Sequence, residues 1–449
     1  MANVWEKISS KEKEEIFSLA EEYKKFLGLC KTEREVVNYI TSLAMENGYK
    51  DGFNYNEEKL IFSDKDRIVA IYKRGKRKAI DGFKIIISHI DSPRLDLKPK
   101  PLYEDSELLL LDTQYYGGIK KYQWFSIPLA IHGVIVNKYN RRQYIVIGEE
   151  EDEPVFTIAD LLPHLGKIQK DKKIDEALPG EKLDVLFGSI PLDGEKENKV
   201  KKNILKILKE KYEVEEEDLV SADITIVPAY KPRDIGIDRS LIGGYGQDDR
   251  ICVWTSLKAL MDIENNEYPI LLLFVDREEI GSFGNTSARS KFLYVVVKRI
   301  LEIEKSLNYY SVESALYNSK AISADVTSAT NPNFKEVDDP NNSAKLNYGV
   351  AIVKYTGSGG KYYSSEASAE FTGYIRNLFN KHNVIWQTGI FGKVDEGGGG
   401  TVAIFLAEYG MDIIDIGAPI LNMHSPFEIS SKADLYMTYK AYKVFLESE

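Results

Sequence analysis

The sequence has few of the residues on which several classes of protein depend. Only two of its 449 residues are cysteines, Cys30 and Cys252. This excludes a disulfide framework and a zinc module built from cysteines. Histidine is also scarce, at five residues, which excludes a metal site made mainly of histidines. A metal site made mainly of carboxylates is not excluded.

Basic residues and long apolar runs are also in short supply. The chain has 59 Lys and Arg against 70 Asp and Glu, a net charge of −11. Because phosphate binding needs a basic face, we expect no nucleic-acid partner. The longest apolar run, Ile270–Val275, is far shorter than the about 20 residues of a membrane helix. The first residues lack the apolar core of an export signal, so we predict a cytoplasmic protein with no membrane partner.

Apolar runs alternate with helical patterns along much of the chain. Continuous apolar runs are typical of strands buried on both faces, and they occur at 84–90, 270–275, 320–324, 401–406 and 411–416. Helical patterns separate several of them, at 249–261, 288–307 and 367–382. This alternation predicts an α/β fold, with a mixed, mostly parallel sheet flanked by helices.

One long segment differs from the rest of the chain. Residues 101–235 contain alternating and aromatic strand-like segments, together with charge runs that are typical of solvated loops. We therefore predict that 101–235 form a smaller, β-rich domain inserted into the α/β domain. The α/β domain would then consist of residues 1–100 and 236–449.

Side chains that bind metals lie at the ends of the predicted strands or just before a helix. They are His89, Asp91, Asp248, Asp249, Glu278, Glu279, Asp325 and His424. In open α/β sheets, ligands bind outside the carboxyl ends of the strands. The shared placement of these residues therefore predicts one site formed by five separate segments.

The residue types predict a pair of divalent ions. Imidazole and carboxylate ligands suit zinc, cobalt or manganese. Two ions about 3.5–4 Å apart need a bridging carboxylate, and Asp248 is our choice for it. His89 with Asp325 can serve one ion, and Glu279 with His424 can serve the other.

Two further acids have predicted roles in catalysis. Glu278 is left unassigned beside a ligand, where a general base would lie. A bound zinc ion lowers the pKa of its water to about 7, so that a nearby carboxylate can take the proton. Asp91 can accept the second N–H of His89 and so fix its tautomer.

The order of these segments resembles one family of enzymes over almost the whole chain. The family is the aspartyl aminopeptidases, co-catalytic metallo-aminopeptidases, and the similarity is to its bacterial branch. The matching segments are SHIDSPRLDLKP (88–99), GQDDRICVWTSLKAL (246–260), DREEIGS (276–282), SADVTSATNPN (323–333) and DIGAPILNMHSPFE (415–428). The resemblance implies the same five metal ligands, the Asp248 bridge and the Glu278 base.

The resemblance also implies an assembly and a substrate class. It implies two zinc-type ions and the removal of single N-terminal residues from a peptide. It also implies a homo-oligomeric dodecamer, with a β-rich domain that helps assembly and covers the active site. His164, in LLPHL, matches the segment that places a histidine in a neighbouring subunit's active site. Lys354 and Lys361 are candidates for binding a substrate carboxylate. Ser328 and Asn331 stand where eukaryotic members have histidines, so a preference for acidic N-terminal residues is left open.

The sequence therefore predicts a metal-dependent aminopeptidase, with two alternatives. One is a related metallohydrolase that deacylates N-acyl amino acids. The other is a non-catalytic assembly protein that keeps the fold, which the presence of Glu278 disfavours because such a protein has no need of a base.

Overall fold

The computed structural model describes residues 2–449. Contacts divide the chain into two compact units. The first consists of the described residues up to 91 with 232–423 and 427–449, and the second of residues 92–231 with the short stretch 424–426. Among the described residues, no helix is both long enough and apolar enough to cross a membrane.

The helices are α1 Ser10–Leu29, α2 Glu33–Glu46, α3 Lys167–Lys170, α4 Ile174–Ala177, α5 Lys199–Tyr212, α6 Gln247–Met261, α7 Phe292–Ile303, α8 Ser311–Tyr317, α9 Ala369–Lys381, α10 Ala403–Ala407 and α11 Lys432–Glu447. Local sequence explains where the first two begin. Ser9 with Glu12, and Thr32 with Glu35, form capping boxes in which the side chains satisfy N–H groups that have no partner inside the helix.

The strands are β1 Lys50–Asp51, β2 Lys59–Asp64, β3 Ile68–Lys73, β4 Lys84–His89, β5 Arg94–Asp105, β6 Leu108–Tyr116, β7 Leu129–Val136, β8 Arg142–Ile147, β9 Val185–Gly188, β10 Asp223–Pro228, β11 Arg233–Ile235, β12 Leu241–Gly244, β13 Ile270–Val275, β14 Lys320–Ser323, β15 Thr327–Ser328, β16 Val350–Val353, β17 Gly357–Ser358, β18 Trp386–Thr388, β19 Gly398–Gly399, β20 Asp412–Gly417, β21 Pro419–Leu421 and β22 Glu428–Ser431.

The first unit is built on a nine-stranded sheet with the order β1-β2-β3-β13-β4-β14-β20-β16-β18. Its central strands β13, β4, β14 and β20 run parallel, while β3 and β16 pair with their inner neighbours in the antiparallel sense. The central strands are apolar throughout because both faces of the sheet are covered. Ile86 enters a core with α1, α2, α6, α9 and α11, whereas Ile85 and Ile87 enter a second core with α7, α8 and α10.

A second sheet of the first unit has the order β11-β12-β22-β21-β15. Strand β12 ends just before α6, and β22 runs antiparallel to it. This pairing aligns Gly244 with Glu428, so it brings β22 beside the start of α6.

The second unit contains a six-stranded antiparallel sheet with the order β8-β7-β10-β5-β6-β9. Helix α5 packs against β5, β6 and β9. Together with the mixed sheet of the first unit, this confirms the predicted fold class, an α/β domain with an inserted β-rich part.

Most of the predicted central strands are confirmed, and one is wrong. The runs at 84–90, 270–275, 320–324 and 411–416 correspond to β4, β13, β14 and β20. The run at 401–406 forms no strand; it contains most of α10 instead. Its buried side chains Ala403 and Leu406 are three positions apart, which is the spacing of one face of a helix.

Candidate metal centre

Three parallel strands deliver the first candidate ligands to one edge of the sheet. His89 is the last residue of β4. Glu278 and Glu279 lie in a 3-10 turn, Glu278–Ile280, just after β13, and Asp325 follows β14 by two positions. Since β4, β13 and β14 run parallel, their carboxyl ends lie at the same edge, as the sequence predicted.

His89 lies at the middle of the cluster. It is 1% exposed, and its Nε2 lies 3.0 Å from Oδ1 of Asp248 and 3.9 Å from Oδ1 of Asp325. Its Nδ1 lies 3.0 Å from the main-chain carbonyl oxygen of Asp91 and 3.5 Å from Oδ1 of the same residue. The carbonyl is therefore the nearer partner of Nδ1, and Nε2 faces the carboxylates.

The carboxylate of Asp91 holds the turn that carries the two glutamates. Its Oδ1 accepts the backbone N–H of Glu278 at 3.1 Å, and its Oδ2 accepts the backbone N–H of Glu279 at 3.2 Å. Asp91 is fully buried, where a hydrogen bond to a charged group is stronger than at the surface. Asp91 therefore ties the end of β4 to the turn after β13.

Asp248 is held by a polar clamp formed from β12, β22 and its own neighbour. Its backbone N–H donates to Oε2 of Glu428 at 3.1 Å. The Gln247 amide donates to the carbonyl oxygens of Ile242 and Glu428, at 3.1 and 2.8 Å, and accepts a hydrogen bond from the Ser430 hydroxyl. All of these groups are buried, so the backbone that carries Asp248 is anchored at its N–H group and at the preceding residue.

A buried ion pair supports the glutamate turn from behind. Asp276, two positions before Glu278, is fully buried, and its Oδ2 accepts hydrogen bonds from Nε of Arg67 at 2.8 Å and from the Thr286 hydroxyl at 3.1 Å. Arg67 also pairs with Glu33 on α2. The chain between β13 and Glu278 is thus anchored to the turn between β2 and β3.

Several sets of ligand atoms lie close enough for one ion. His89, Asp249 and Asp325 each offer one atom, and these atoms lie within 4.8 Å of one another. His89, Glu278 and Glu279 meet the same criterion, as do the oxygens of Asp248 and Glu279 taken as a pair.

His424 lies in the connection between β21 and β22, four residues before Glu428. Its Nδ1 is 2.9 Å from the carbonyl oxygen of Gly118, and its contacts group it with the second unit.

The electrostatics of the cluster fit divalent cations. Burial raises the pKa of Asp325, as do the charges of Asp248 and Glu278, although His89 opposes the shift. Burial lowers the pKa of His89, but its hydrogen bonds to Asp248 and Asp91 outweigh this effect and raise it. Buried carboxylates at this spacing repel one another. The donor set of imidazole and carboxylates is the one that zinc, cobalt and manganese accept.

The predicted substrate-binding residues lie in two other places. Lys354 and Lys361 share one carboxylate, because their Nζ atoms lie 3.5 and 2.9 Å from Glu366. Lys361 also lies over the ring of Tyr355, with 4.1 Å between Nζ and the ring centroid. His164 is exposed on a turn just before α3 in the second unit.

Of the residues that support the candidate ligands, sequence reasoning identified Asp91 but not Glu428, Arg67 or Asp276. Glu428 lies within a segment that carries the family resemblance, and that was the one signal available for it. Asp276 lies within another such segment, 276–282, whereas Arg67 gave no signal, because its pairing with Asp276 spans 209 positions of the chain. Asp249 was noted beside Asp248 but received no role.

Comparisons with known proteins identify the family of this chain. The family Aminopeptidase I zinc metalloprotease (M18) matches residues 26–446. A probable M18 family aminopeptidase 1 of Borreliella afzelii strain PKo is 51% identical over 99% of this chain and 98% of its own. The crystal structure of an M18 family aminopeptidase from Thermotoga maritima has a TM-score of 0.95 and 46% identity, and covers 100% of this chain and 99% of that one.

A more distant structure, the mApe1 dodecamer of S. cerevisiae, shares the fold, with a TM-score of 0.76 at 22% identity over 95% of each chain. The predicted resemblance and the predicted enzyme class are confirmed by the family match and the bacterial relatives. The chain belongs to the M18 family of zinc metallopeptidases and is an aminopeptidase, a hydrolase that acts on peptides.

Proposed function

We propose that this aminopeptidase removes single N-terminal residues from peptides at a centre of two divalent ions, zinc by preference, with cobalt or manganese as substitutes. The observation that carries the proposal is the convergence of His89, Asp248 and Asp325 with the glutamate turn. Four of the segments that supply candidate ligands meet there, although they are far apart in the sequence.

The ligand roles that we propose divide the donors between the two ions. His89 and Asp325 hold one ion, Glu279 and His424 hold the other, and Asp248 bridges them. The clamp on Asp248 supports a bridging role, because a bridging carboxylate must stay fixed relative to both ions. When bound, the ions would polarise the scissile carbonyl and bring the pKa of a water shared between them close to neutrality, which would make hydroxide available as the nucleophile.

Glu278 is the general base in this proposal. Its carboxylate takes a proton from the attacking water and then gives it to the departing amine. Asp91 positions Glu278 through the backbone N–H and orients His89 through Nδ1. The hydrogen bonds of Asp91 described above support both roles.

We further propose a preference for acidic N-terminal residues, through Lys354 and Lys361. Because both ammonium groups share Glu366, the group keeps one net positive charge, and the preference should be modest. Replacing both lysines with Met should lower the ratio of kcat/KM for N-terminal Asp over N-terminal Ala. Lys381→Met, an exposed lysine at the end of α9, is the control.

We propose that the chain acts in the cytoplasm as a homo-oligomer, with a dodecamer as the specific expectation. The S. cerevisiae relative forms a dodecamer, and residues 101–235 would serve assembly and cover the active site. His164 would reach the active site of a neighbouring subunit. Its exposed apolar neighbours Leu161, Leu162 and Leu165 support an interface, because exposed apolar patches mark contact surfaces. Mass measurement in solution tests the assembly size.

The proposed activity is tested with a panel of fluorogenic amides that differ in the first residue. Each amide is supplied with a free amine or with an acetylated amine. We expect cleavage of the free amines alone, loss of activity with a chelator, and recovery with zinc, cobalt or manganese. Cleavage of the acetylated substrates alone would identify a deacylase instead.

A further inference from the structure

We propose that Asp249 compensates the charge of the ion that His89 and Asp325 would hold. Asp249 is not one of the five ligands proposed above, so it would be an additional member of the metal centre. This inference rests on the proposed function, which names His89 and Asp325 as ligands.

The first observation is that Asp249 is a deeply buried carboxylate without a hydrogen-bond donor. It lies in the first turn of α6 and is 0% exposed, and neither of its oxygens has a hydrogen-bond partner within residues 2–449. The thiol of Cys252 lies next to it, but a thiol is a weak donor. Burying a carboxylate in this way is costly unless a cation offsets the charge.

Other fully buried aspartates of the first unit do have donors. Asp434 accepts the backbone N–H groups of Asn347 and Gly349, both at 2.7 Å. Asp415 accepts the hydroxyl of Thr401, also at 2.7 Å. Asp249 therefore differs from these residues in its surroundings and not in its burial.

The second observation is the direction in which Asp249 faces. One of its oxygens lies within 4.8 Å of a ring nitrogen of His89 and of a carboxylate oxygen of Asp325. Asp248 is its chain neighbour and contacts the same imidazole. Three aspartates thus surround one imidazole, and no lysine or arginine is within ion-pair distance of Asp249 among the described residues. A divalent cation at this point would supply the missing positive charge.

The consequence concerns the two sides of the centre. On the His89 side, three carboxylates accompany one imidazole. This oxygen-rich set suits harder cations such as manganese, together with zinc and cobalt. We expect Asp249 to tighten the binding of an ion on this side. In the metal-free protein we expect it to be destabilising, because its carboxylate repels those of Asp248 and Asp325.

The test uses the full-length protein with Asp249→Asn, which keeps the shape and removes the charge. Asp434→Asn is the matched control, because Asp434 is equally buried but has its own donors. Zinc and manganese are each titrated into metal-free protein by calorimetry, and the melting temperature of the metal-free protein is measured. For D249N we expect affinity at one of two sites to fall at least about ten-fold and the metal-free melting temperature to be no lower than that of the wild type. D434N should keep wild-type affinity.

Two outcomes would overturn the inference. One is wild-type metal affinity in D249N. The other is a lower metal-free melting temperature, which would mean that Asp249 has a structural role. If D249N does not fold, Asp249→Ser is measured in the same way. Failure of both neutral variants to fold also contradicts the inference, because a repulsive carboxylate cannot be required by the metal-free fold. Activity of the wild-type protein tests the proposed function separately, since it does not depend on the result for Asp249.

Discussion

The carboxylate of Asp91 accepts the backbone N–H of Glu278 at 3.1 Å, although the two residues are 187 positions apart. This bond joins the ends of the neighbouring parallel strands β4 and β13. The same residue provides the carbonyl nearest to Nδ1 of His89. A proposed metal ligand and the proposed base are thus oriented by the side chain and the main chain of one residue.

Replacing Asp91 should therefore affect turnover more than substrate binding. We expect Asp91→Ala to lower kcat by about 10–100-fold with little change in KM, because the N–H groups of Glu278 and Glu279 lose their acceptors. Asp91→Asn should lose less, since its amide oxygen can still accept one of these bonds. Steady-state kinetics at fixed metal content checks this. A wild-type kcat in the alanine variant would rule out a positioning role.

Replacing Glu278 should remove the proposed base and leave the fold intact. We expect Glu278→Gln to lower kcat by about 10²–10⁴-fold, with unchanged metal content and melting temperature. Glu14→Gln, an exposed position on α1, is the control and should match the wild type. Normal turnover in E278Q would show that another group takes the proton.

Removing Arg67 should destabilise the protein strongly. Its partner Asp276 is fully buried, so Arg67→Met leaves that charge with only the longer pair to Arg277, at 3.7 Å, and the Thr286 hydroxyl, and we expect a cost of up to about 3–5 kcal/mol in the free energy of unfolding. Lys11→Met breaks an exposed pair with Glu15 and should cost less than about 1 kcal/mol. Urea unfolding of the metal-free variants measures both effects. Equal losses in the two variants would contradict this account of the ion pair.

Lys84 should make stability depend on pH. Burial, assisted by the charge of Lys320, lowers the pKa of Lys84 from 10.5 to about 7. Between these values the unfolded chain binds a proton that the folded protein has lost. Stability should therefore rise as the pH increases from 7 to 10.5, by at most about 1.4 kcal/mol per pH unit from this group.

Lys84→Met should flatten this rise and stabilise the protein at pH 7 and below. The experiment needs metal-free protein, since metal binding depends on pH as well. Melting temperatures across pH 6–10 give the answer, and an equally steep rise in K84M would assign the dependence to other groups.

The sequence predicts which strands carry the candidate ligands better than it predicts the residues that hold those ligands in place. Continuous apolar runs identify β4, β13, β14 and β20, because strands buried on both faces must be apolar along their whole length. Parallel strands then bring His89, Glu278 and Asp325 to one edge. The prediction of a strand at 401–406 was wrong because a short buried apolar run can belong to a helix as well as to a strand.

The hydrogen bonds that join the ligand-bearing segments to one another and to the rest of the fold leave no recognisable local pattern in a single sequence. Asp91 was expected to face His89 with its carboxylate, whereas its nearest contact with that ring is through the main-chain carbonyl. Its carboxylate faces the glutamate turn instead. The pairing of Arg67 with Asp276 and of Glu428 with Asp248 depends on tertiary packing, so it could be found only in the structure.

The bond between Glu428 and Asp248 spans 180 positions, and this has a consequence for biosynthesis. A growing chain that has not yet reached residue 428 lacks the acceptor that fixes Asp248. Almost the whole polypeptide must therefore be synthesised before Asp248 can reach its position in the folded protein.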